Sequence, residues 1–315
     1  MVKYYSHGKL LLTGEYVVLD GALSLAIPTK FGQDLTIKPI DEPKLLWKSF
    51  DHNKAVWFEE VFRINNNEIL KQVQNDYPTS NRLLQILNGA KNLNPDYLSN
   101  HDKGYEITTQ LEFPKNWGLG TSSTLINNIA NWAHVNPYQL LDMTFGGSGY
   151  DIACAQAKAP LTYRIKNNEI LNQAQSDKKR EIKTVDFNPS FKSNLYFVHL
   201  NEKQNSRDGI AQYRVNTSDL KHEVESINGI TLEMIDCDSL ENFQKLMHQH
   251  ELFISKIIGQ KPVKEVLFKD FKGSIKSLGA WGGDFVLVAS ETNPTTYFKD
   301  KGFETILNYD DMVIK

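Results

Sequence analysis

The sequence predicts an α+β protein built from two domains. Its 315 residues exceed the usual size of a single hydrophobic core. Short runs of β-branched and aromatic residues, such as GYEITTQLEF, predict strands. Apolar residues recur at helical spacing at Leu125, Ile129, Trp132 and Ala133. The polar stretch Asn188-Pro189-Ser190 is the predicted boundary, so the expected domains are residues 1–188 and 189–315.

Local signals place further elements along the chain. In KLLLTGEYVVLDGALSLAIPT we expect two strands joined by a tight turn at Asp20-Gly21, with a bulge or close backbone approach at Gly14. LLWKSF and AVWFEEVFRI predict a second hairpin, and SNRLLQILNGA predicts a helix. LTYRI, EIKTVDF and LYFVHL predict short strands, and GSIKSLGAWGGDFVLVAS predicts two strands around a glycine-rich turn. His250 falls on a helical apolar stripe and is interpreted as a hydrogen-bonded core residue.

Composition excludes several classes of protein. Hydrophobic residues make up 40% of the chain and charged residues 23%, as in ordinary globular proteins. The net charge of -3 argues against a general nucleic-acid binder. No apolar run reaches the ~18 residues of a membrane span, and no signal peptide is recognisable. Cys154 and Cys237 fit a reducing compartment. We therefore expect a cytoplasmic monomer or homodimer without nucleic-acid or membrane partners.

The segment GLGTSST at residues 118–124 carries the strongest chemical signal. Two glycines followed by hydroxyl residues at a helix start direct unpaired N–H groups and the positive end of the helix dipole to one place. Such a place suits a phosphate group. The hydroxyls could also cap the helix, bind a phosphate oxygen or ligate magnesium. On these residues alone, a phosphate site and an ordinary Thr/Ser cap remain equally open.

Three separated segments together resemble the GHMP kinases, the superfamily of galactokinase, homoserine kinase, mevalonate kinase and phosphomevalonate kinase. They are the first motif (residues 8–16, GKLLLTGEY), the phosphate loop (residues 118–123) and the third motif (residues 278–284, LGAWGGD). The resemblance covers nearly the whole chain. The first motif and GSGYDIACAQA look nearest to phosphomevalonate kinases, whereas the chain length is closer to mevalonate kinases.

The resemblance implies a fold and an activity. The fold would combine an N-terminal domain like domain 2 of ribosomal protein S5 with a C-terminal ferredoxin-like domain, and the active site would lie between them. The activity would be phosphorylation of a small molecule, using ATP and Mg²⁺. Mevalonate or phosphomevalonate, in isoprenoid precursor synthesis, is the expected acceptor. The alternatives are a kinase for a sugar or homoserine-like acceptor and a non-catalytic nucleotide-binding homologue.

The resemblance also implies site residues. Asp151 would orient or deprotonate the acceptor hydroxyl, and Lys9 would lie against it and stabilise developing charge. The ATP phosphates would be bound by Gly118, Leu119, Gly120, Thr121, Ser122 and Ser123. Magnesium would be held partly by the hydroxyls of Ser122 and Thr121. The third motif would support the phosphate loop through Gly279, Ala280, Gly282, Gly283 and Asp284. The substrate would contact Glu15, Ser148, Lys203, Ser206 and Arg207.

Each of these roles has a simpler alternative. Asp151 could be a turn or N-cap residue, and Lys9 a solvated lysine on a strand edge. Glu15 could be an edge charge on a strand, and the segment 201–207 a solvated loop. Trp281 replaces a small residue of the third motif, so we expect that turn to bulge or to point the indole outward. P-loop, dinucleotide-binding and protein-kinase signatures do not occur in the sequence.

Overall fold

The computed structural model describes residues 1–64, 69–71, 77–100, 102–166, 179–202, 206–216 and 220–314. The strands in these ranges are β1 (Val2–Leu11), β2 (Ser24–Ile40), β3 (Lys44–Phe50), β4 (Val56–Ile64), β5 (Ile69–Lys71), β6 (Gly104–Leu111), β7 (Leu161–Lys166), β8 (Lys179–Thr184), β9 (Leu195–His199), β10 (Ser274–Ser277), β11 (Phe285–Ala289) and β12 (Ile306–Asn308). The helices are α1 (Pro78–Leu93), α2 (Thr121–Ala133), α3 (Pro137–Thr144), α4 (Tyr150–Gln156), α5 (Ser206–Asn216), α6 (Lys221–Ile235), α7 (Leu240–Ile258), α8 (Val263–Leu267), α9 (Thr295–Asp300) and α10 (Tyr309–Met312).

The chain forms two compact units. Unit 1 consists of residues 1–8, 31–115 and 119–156. Unit 2 consists of residues 9–30, 116–118 and 157–315. The chain therefore passes from one unit to the other within β1, within β2 and within the phosphate loop. The sequence-based boundary after residue 188 stays a prediction.

Unit 1 is a sheet with helices packed on it. Its strands follow the order β5-β4-β3-β6-β2, in which β3 and β6 are parallel and the other neighbours are antiparallel. Helices α1, α2 and α3 pack against one another. Their apolar faces and one face of the sheet form a core that includes Trp47, Phe62, Leu87, Ile107, Ile126, Ile129 and Leu140. The helical stripe predicted after the phosphate loop therefore faces this core.

Unit 2 contains a separate four-stranded antiparallel sheet. Its strands follow the order β10-β11-β9-β12, and α7 packs against β10. Helices α5 and α6 contact α7. The first residues of β2 pair with β7, and β7 pairs with β8. This unit carries both the first-motif residues 9–16 and the third motif.

Most predicted elements are confirmed, and one turn is wrong. The hairpin of β3 and β4, helix α1 and the strands β6, β7, β8, β9, β10 and β11 all lie where the sequence predicts them. The tight turn at Asp20-Gly21 does not form. Residues Val17–Asp20 instead make one turn of 3-10 helix, which Gly21 ends with a left-handed backbone at φ 86°. Val17 and Val18 of this segment are buried, and a two-residue hairpin turn would not allow their burial.

No helix in the described ranges is long and apolar enough to cross a membrane.

Candidate functional site

The phosphate loop leads into α2 with a glycine at the cap position. Gly118 and Gly120 have left-handed backbones, with φ of 67° and 93°. Gly120 is the N-cap, and no side chain caps the helix within the described residues. The hydroxyl of Ser123 donates back to the Gly120 carbonyl at 2.9 Å, and Thr124 Oγ1 lies 3.1 Å from the same oxygen. The Thr/Ser cap is therefore wrong, and the first N–H groups of α2 remain for another acceptor.

Buried polar bonds within unit 1 fix the direction of α2. Thr124 Oγ1 donates to Gln33 Oε1 at 2.7 Å, and Asn128 Nδ2 donates to the Gln33 carbonyl at 2.9 Å. Ser6 Oγ donates to Asn128 Oδ1 at 2.8 Å and accepts from Asn127 Nδ2 at 2.9 Å. All five side chains are buried. Because each polar group has a partner, these bonds hold the helix in one orientation. This network was not predicted from the sequence, where its signal is the pair of asparagines within an apolar helix.

Asp151 lies in the first turn of α4, which follows a glycine turn. Gly146, Gly147 and Gly149 all have positive φ, at 67°, 105° and 91°. Asp151 is half-buried, and its Oδ1 accepts the N–H of Ile152 at 3.0 Å. Asp151 stands inside the helix, so the N-cap alternative for this residue is wrong.

Helix α4 packs directly on α2 within unit 1. Gln156 Nε2 at its end donates to Asn127 Oδ1 at 2.8 Å. Ser148, a predicted substrate contact, is buried ahead of α4, and its Oγ accepts the N–H of Tyr150 at 3.5 Å. The carboxylate-bearing helix and the phosphate-loop helix are therefore direct neighbours.

In unit 2, Lys9 and Asp284 flank Gly118. Lys9 Nζ donates to the Gly118 carbonyl at 2.8 Å and is half-buried, so the solvated-edge alternative is wrong. Asp284 is buried and has a left-handed backbone with φ 53°. A Cβ added to Gly118 would overlap the Asp284 carboxylate. Only glycine allows this approach, and it brings residues of all three motifs together.

His199 anchors the residues just before Gly118. Its Nδ1 accepts the N–H of Asn201 at 3.2 Å, so the ring hydrogen lies on Nε2, which donates to the Asn116 carbonyl at 3.0 Å. Trp117 packs edge-on against Phe285, with 5.4 Å between ring centroids. Sequence reasoning missed His199, although a histidine ending the apolar strand LYFVH is a recognisable signal.

The third motif forms the turn between β10 and β11. Gly279 and Gly282 have left-handed backbones at 68° and 95°, with buried Ala280 between them and Gly283 following. Trp281 is only 5% exposed. Its indole lies in an apolar cluster with Tyr16, Val17, Ala22, Tyr213, Ile227, Ile254, Ile257 and Ile258. Of the two expected alternatives, a bulged turn or an outward indole, the outward indole is therefore wrong, because unit 2 supplies an apolar pocket that the local sequence does not reveal.

Glu15 belongs to a buried charge cluster with Lys276, His250 and Glu251. The exposures of these four residues do not exceed 1%. Glu15 Oε1 pairs with Lys276 Nζ, so the edge-charge alternative for Glu15 is wrong. His250 Nε2 accepts the N–H of Gly14 at 2.9 Å, which confirms its interpretation as a hydrogen-bonded core residue.

Burial dominates the protonation of the charge cluster. It raises the pKa of Glu15 to about 7, although the Lys276 ammonium acts in the opposite direction. It likewise raises the pKa of Glu251 to about 7, against the lowering influence of Lys276. Burial lowers the pKa of His250 well below its usual value. His250 is therefore neutral, and its 3.3 Å approach to Glu15 Oε2 is not an ion pair.

The remaining predicted contacts lie partly outside the described residues. Lys203 is outside them, and so are the side chains of Ser206 and Arg207, whose backbone begins α5. The proposed magnesium ligands differ in exposure, since Ser122 is exposed and Thr121 is half-buried. In the part of the chain that the structure describes, no three His, Cys, Asp or Glu side chains form a metal-binding group.

Solved structures of several small-molecule kinases share this fold. Mevalonate kinase of Methanococcus jannaschii superposes with a TM-score of 0.69 at 17% identity, covering 100% of this chain and 98% of that one. Phosphomevalonate kinase of Streptococcus pneumoniae, in complex with phosphomevalonate and AMPPNP, gives 0.68 at 16% identity and covers 98% and 100%. Galactokinase of Lactococcus lactis, complexed with galactose, gives 0.65 at 12% identity and covers 99% and 93%.

No family model and no curated protein sequence matches the chain. The predicted α+β class and the GHMP kinase fold are nevertheless confirmed, because the structural similarity extends over essentially the full length of each chain.

Proposed function

We propose that this chain is an ATP-dependent kinase of a small molecule. The observation that carries the proposal is the start of α2, where Gly120 caps a helix that no described side chain caps. Unpaired N–H groups and the helix dipole make this position suitable for a phosphate group. The fold around it is shared with kinases, one of which was crystallised with AMPPNP. We also propose that residues 1–188 form a domain like domain 2 of ribosomal protein S5 and that residues 189–315 form a ferredoxin-like domain.

The proposed roles follow from the chemistry of the residues. The amides of residues 118–123 bind the ATP phosphates, and Ser122 with Thr121 contributes hydroxyl oxygens to Mg²⁺, which would neutralise phosphate charge when bound. Lys9 places a cation beside Gly118 and stabilises charge on the transferred group. Asp151 orients the acceptor hydroxyl or removes its proton. Phosphoryl transfer mainly requires such positioning and charge stabilisation.

The proposed acceptor is mevalonate or phosphomevalonate. Its support is the first motif, the segment GSGYDIACAQA and the structural similarity to both kinds of kinase. Sugar and homoserine-like acceptors are the competing enzymatic outcome. A panel of these acceptors assayed with ATP and Mg²⁺ separates them. Tight ATP binding without phosphorylation of any member would favour the non-catalytic alternative.

Asp151→Asn tests the catalytic assignment. We expect turnover to fall by roughly 10²–10⁴-fold, because the amide cannot accept the hydroxyl proton, whereas the affinity for AMPPNP stays nearly unchanged. Steady-state kinetics and calorimetric titration measure the two quantities. Asp96→Asn is the matched control, because Asp96 is an exposed aspartate that follows α1. Wild-type turnover in Asp151→Asn would remove this residue from the mechanism.

A further inference from the structure

Tyr16, the last residue of the first motif, lies where three segments of unit 2 meet. Its hydroxyl oxygen accepts the backbone N–H of Trp281 at 3.3 Å. Its ring stacks on Tyr213 of α5, with 5.6 Å between centroids. Also in α5, a Cβ added to Gly209 would lie 2.7 Å from Tyr16 Oη. The first motif, the third motif and α5 therefore all contact one side chain.

The backbone of Tyr16 is unusual for a buried aromatic residue. Its φ is 63°, in the left-handed region that L side chains rarely adopt. Such a conformation persists only where surrounding contacts fix it, and it is found most often at functional sites. Burial also raises the pKa of the phenol, so Tyr16 keeps its proton and acts as a neutral hydrogen-bonding group.

The bond from Trp281 controls the middle of the third-motif turn. The ends of the turn are fixed by backbone bonds, since Leu278 N–H donates to the Phe285 carbonyl at 3.2 Å and Asp284 N–H donates to the Glu202 carbonyl at 2.7 Å. Between these ends, Tyr16 Oη receives the Trp281 N–H. Asp284 ends the turn with its carboxylate against Gly118. A shift of the turn would therefore move the Asp284 carboxylate relative to Gly118.

We propose that Tyr16 is a positioning residue for the nucleotide. Its hydroxyl holds the third-motif turn and, through Asp284, the Gly118 end of the phosphate loop. Tyr16 acts without touching the nucleotide, and Gly209 is required because it leaves room for the hydroxyl. The inference rests on the proposed function, since it takes the phosphate loop as the nucleotide site.

Two single variants test the role of the hydroxyl. Tyr16→Phe removes it, and Gly209→Ala displaces it. We expect each to bind AMPPNP with Mg²⁺ three- to tenfold more weakly, by calorimetry without acceptor, as is typical of one lost hydrogen bond. Alanine favours a helix over glycine, so Gly209→Ala should not weaken α5 itself. The control is Gly229→Ala in α6, where a Cβ meets nothing within 4 Å and binding should equal that of the wild type.

The double variant Tyr16→Phe/Gly209→Ala makes the test specific. The added methyl group clashes chiefly with the hydroxyl, so the double variant should bind AMPPNP as Tyr16→Phe does. If the double variant instead loses AMPPNP affinity by the product of the two single losses, the two substitutions do not act through the same hydroxyl. If the wild type binds AMPPNP and Tyr16→Phe binds it equally well, the inference about Tyr16 is overturned, whereas the proposed nucleotide site is not. Failure of the wild type to bind would overturn the proposed nucleotide site and this inference with it. If Gly209→Ala does not fold, Tyr16→Phe decides.

Discussion

Glu15 and Tyr16 are adjacent in the first motif, yet they tie it to the region of the third motif by opposite kinds of interaction. Glu15 reaches Lys276, at the end of β10, through the buried charge cluster. Tyr16 reaches Trp281, in the turn itself, through aromatic packing and one neutral hydrogen bond. The charge cluster depends on every partner and on pH, whereas the aromatic contact depends on shape. The comparison predicts which variants should respond to pH and which should not.

The two connections also use α7 differently. His250 and Glu251 of α7 supply the charge cluster with acceptors for the N–H groups of Gly14 and Ser277. One and two turns further along the same side of α7, Ile254 and Ile257 belong to the apolar cluster that contains Trp281. One helix thus provides polar partners to Glu15 and apolar surface to Tyr16. This division explains how consecutive residues can both be buried.

Removing the cation of the charge cluster should have the largest effect. Lys276→Met leaves the buried carboxyls of Glu15 and Glu251 without their cation. We expect the free energy of unfolding to fall by about 3–5 kcal/mol at pH 8, measured by urea denaturation. The matched control is Lys245→Met, which removes an exposed lysine paired with Glu241 and should change little.

The companion variant Glu15→Gln/Lys276→Met sharpens this result. It removes one uncompensated carboxylate, so it should regain part of the lost stability. Unchanged stability in Lys276→Met would show that the pair does not stabilise this region, and the contrast with Tyr16 would disappear.

The next effect should be a dependence on pH. Burial raises the pKa of both Glu15 and Glu251 from 4.5 to about 7, so the folded chain binds their protons more tightly than the unfolded chain. Their contribution to stability is complete below pH 4.5 and is lost as the pH rises through about 7. We expect the free energy of unfolding to fall by roughly 2–3 kcal/mol for each carboxyl from pH 5 to pH 8.

Glu251→Gln should reduce this pH dependence, because it removes one of the two titrating groups. Glu241→Gln is the control, since the nearby Lys245 lowers the pKa of Glu241 and keeps its titration below the range. Denaturation series at several pH values measure both slopes. If the free energy of unfolding of Glu251→Gln depends on pH as steeply as that of the wild type, Glu251 is not one of the titrating groups.

The smallest effect should come from the neutral bond. Tyr16→Phe removes the acceptor of the Trp281 N–H but keeps the ring in its apolar cluster. We expect a loss of about 1 kcal/mol in the free energy of unfolding, equal at pH 5 and pH 8. Thermal and urea denaturation at the two pH values provide the measurement. If the loss of stability in Tyr16→Phe grows with pH, Tyr16 is coupled to the charge cluster, and the two connections do not differ in their response to pH.

Part of the candidate site could be predicted from the sequence because its signals are local. Gly118 and Gly120 mark backbone conformations that favour glycine, and the apolar stripe after them marks α2. The same reasoning located Asp151 after a glycine-rich turn. The order of the three motifs then predicted the fold that the kinase structures share.

The orientation of Trp281 and the partner of Glu15 could not be predicted in this way. Trp281 lies 265 residues beyond Tyr16, and Lys276 lies 261 residues beyond Glu15. A residue's local sequence does not show which distant surface will cover it. The predicted turn at Asp20-Gly21 failed for the same reason, because burial of Val17 and Val18 overrode the local turn preference.

By itself, the sequence determined the glycine turns, the helix after the phosphate loop and the alternating strands, since dihedral preference and hydrophobic period act over a few residues. Only the tertiary structure decided that Glu15 is paired rather than solvated, that Trp281 points inward and that Asp284 lies against Gly118. The physical reason is that desolvation, ion pairing and close packing depend on neighbours that folding brings together from distant parts of the chain.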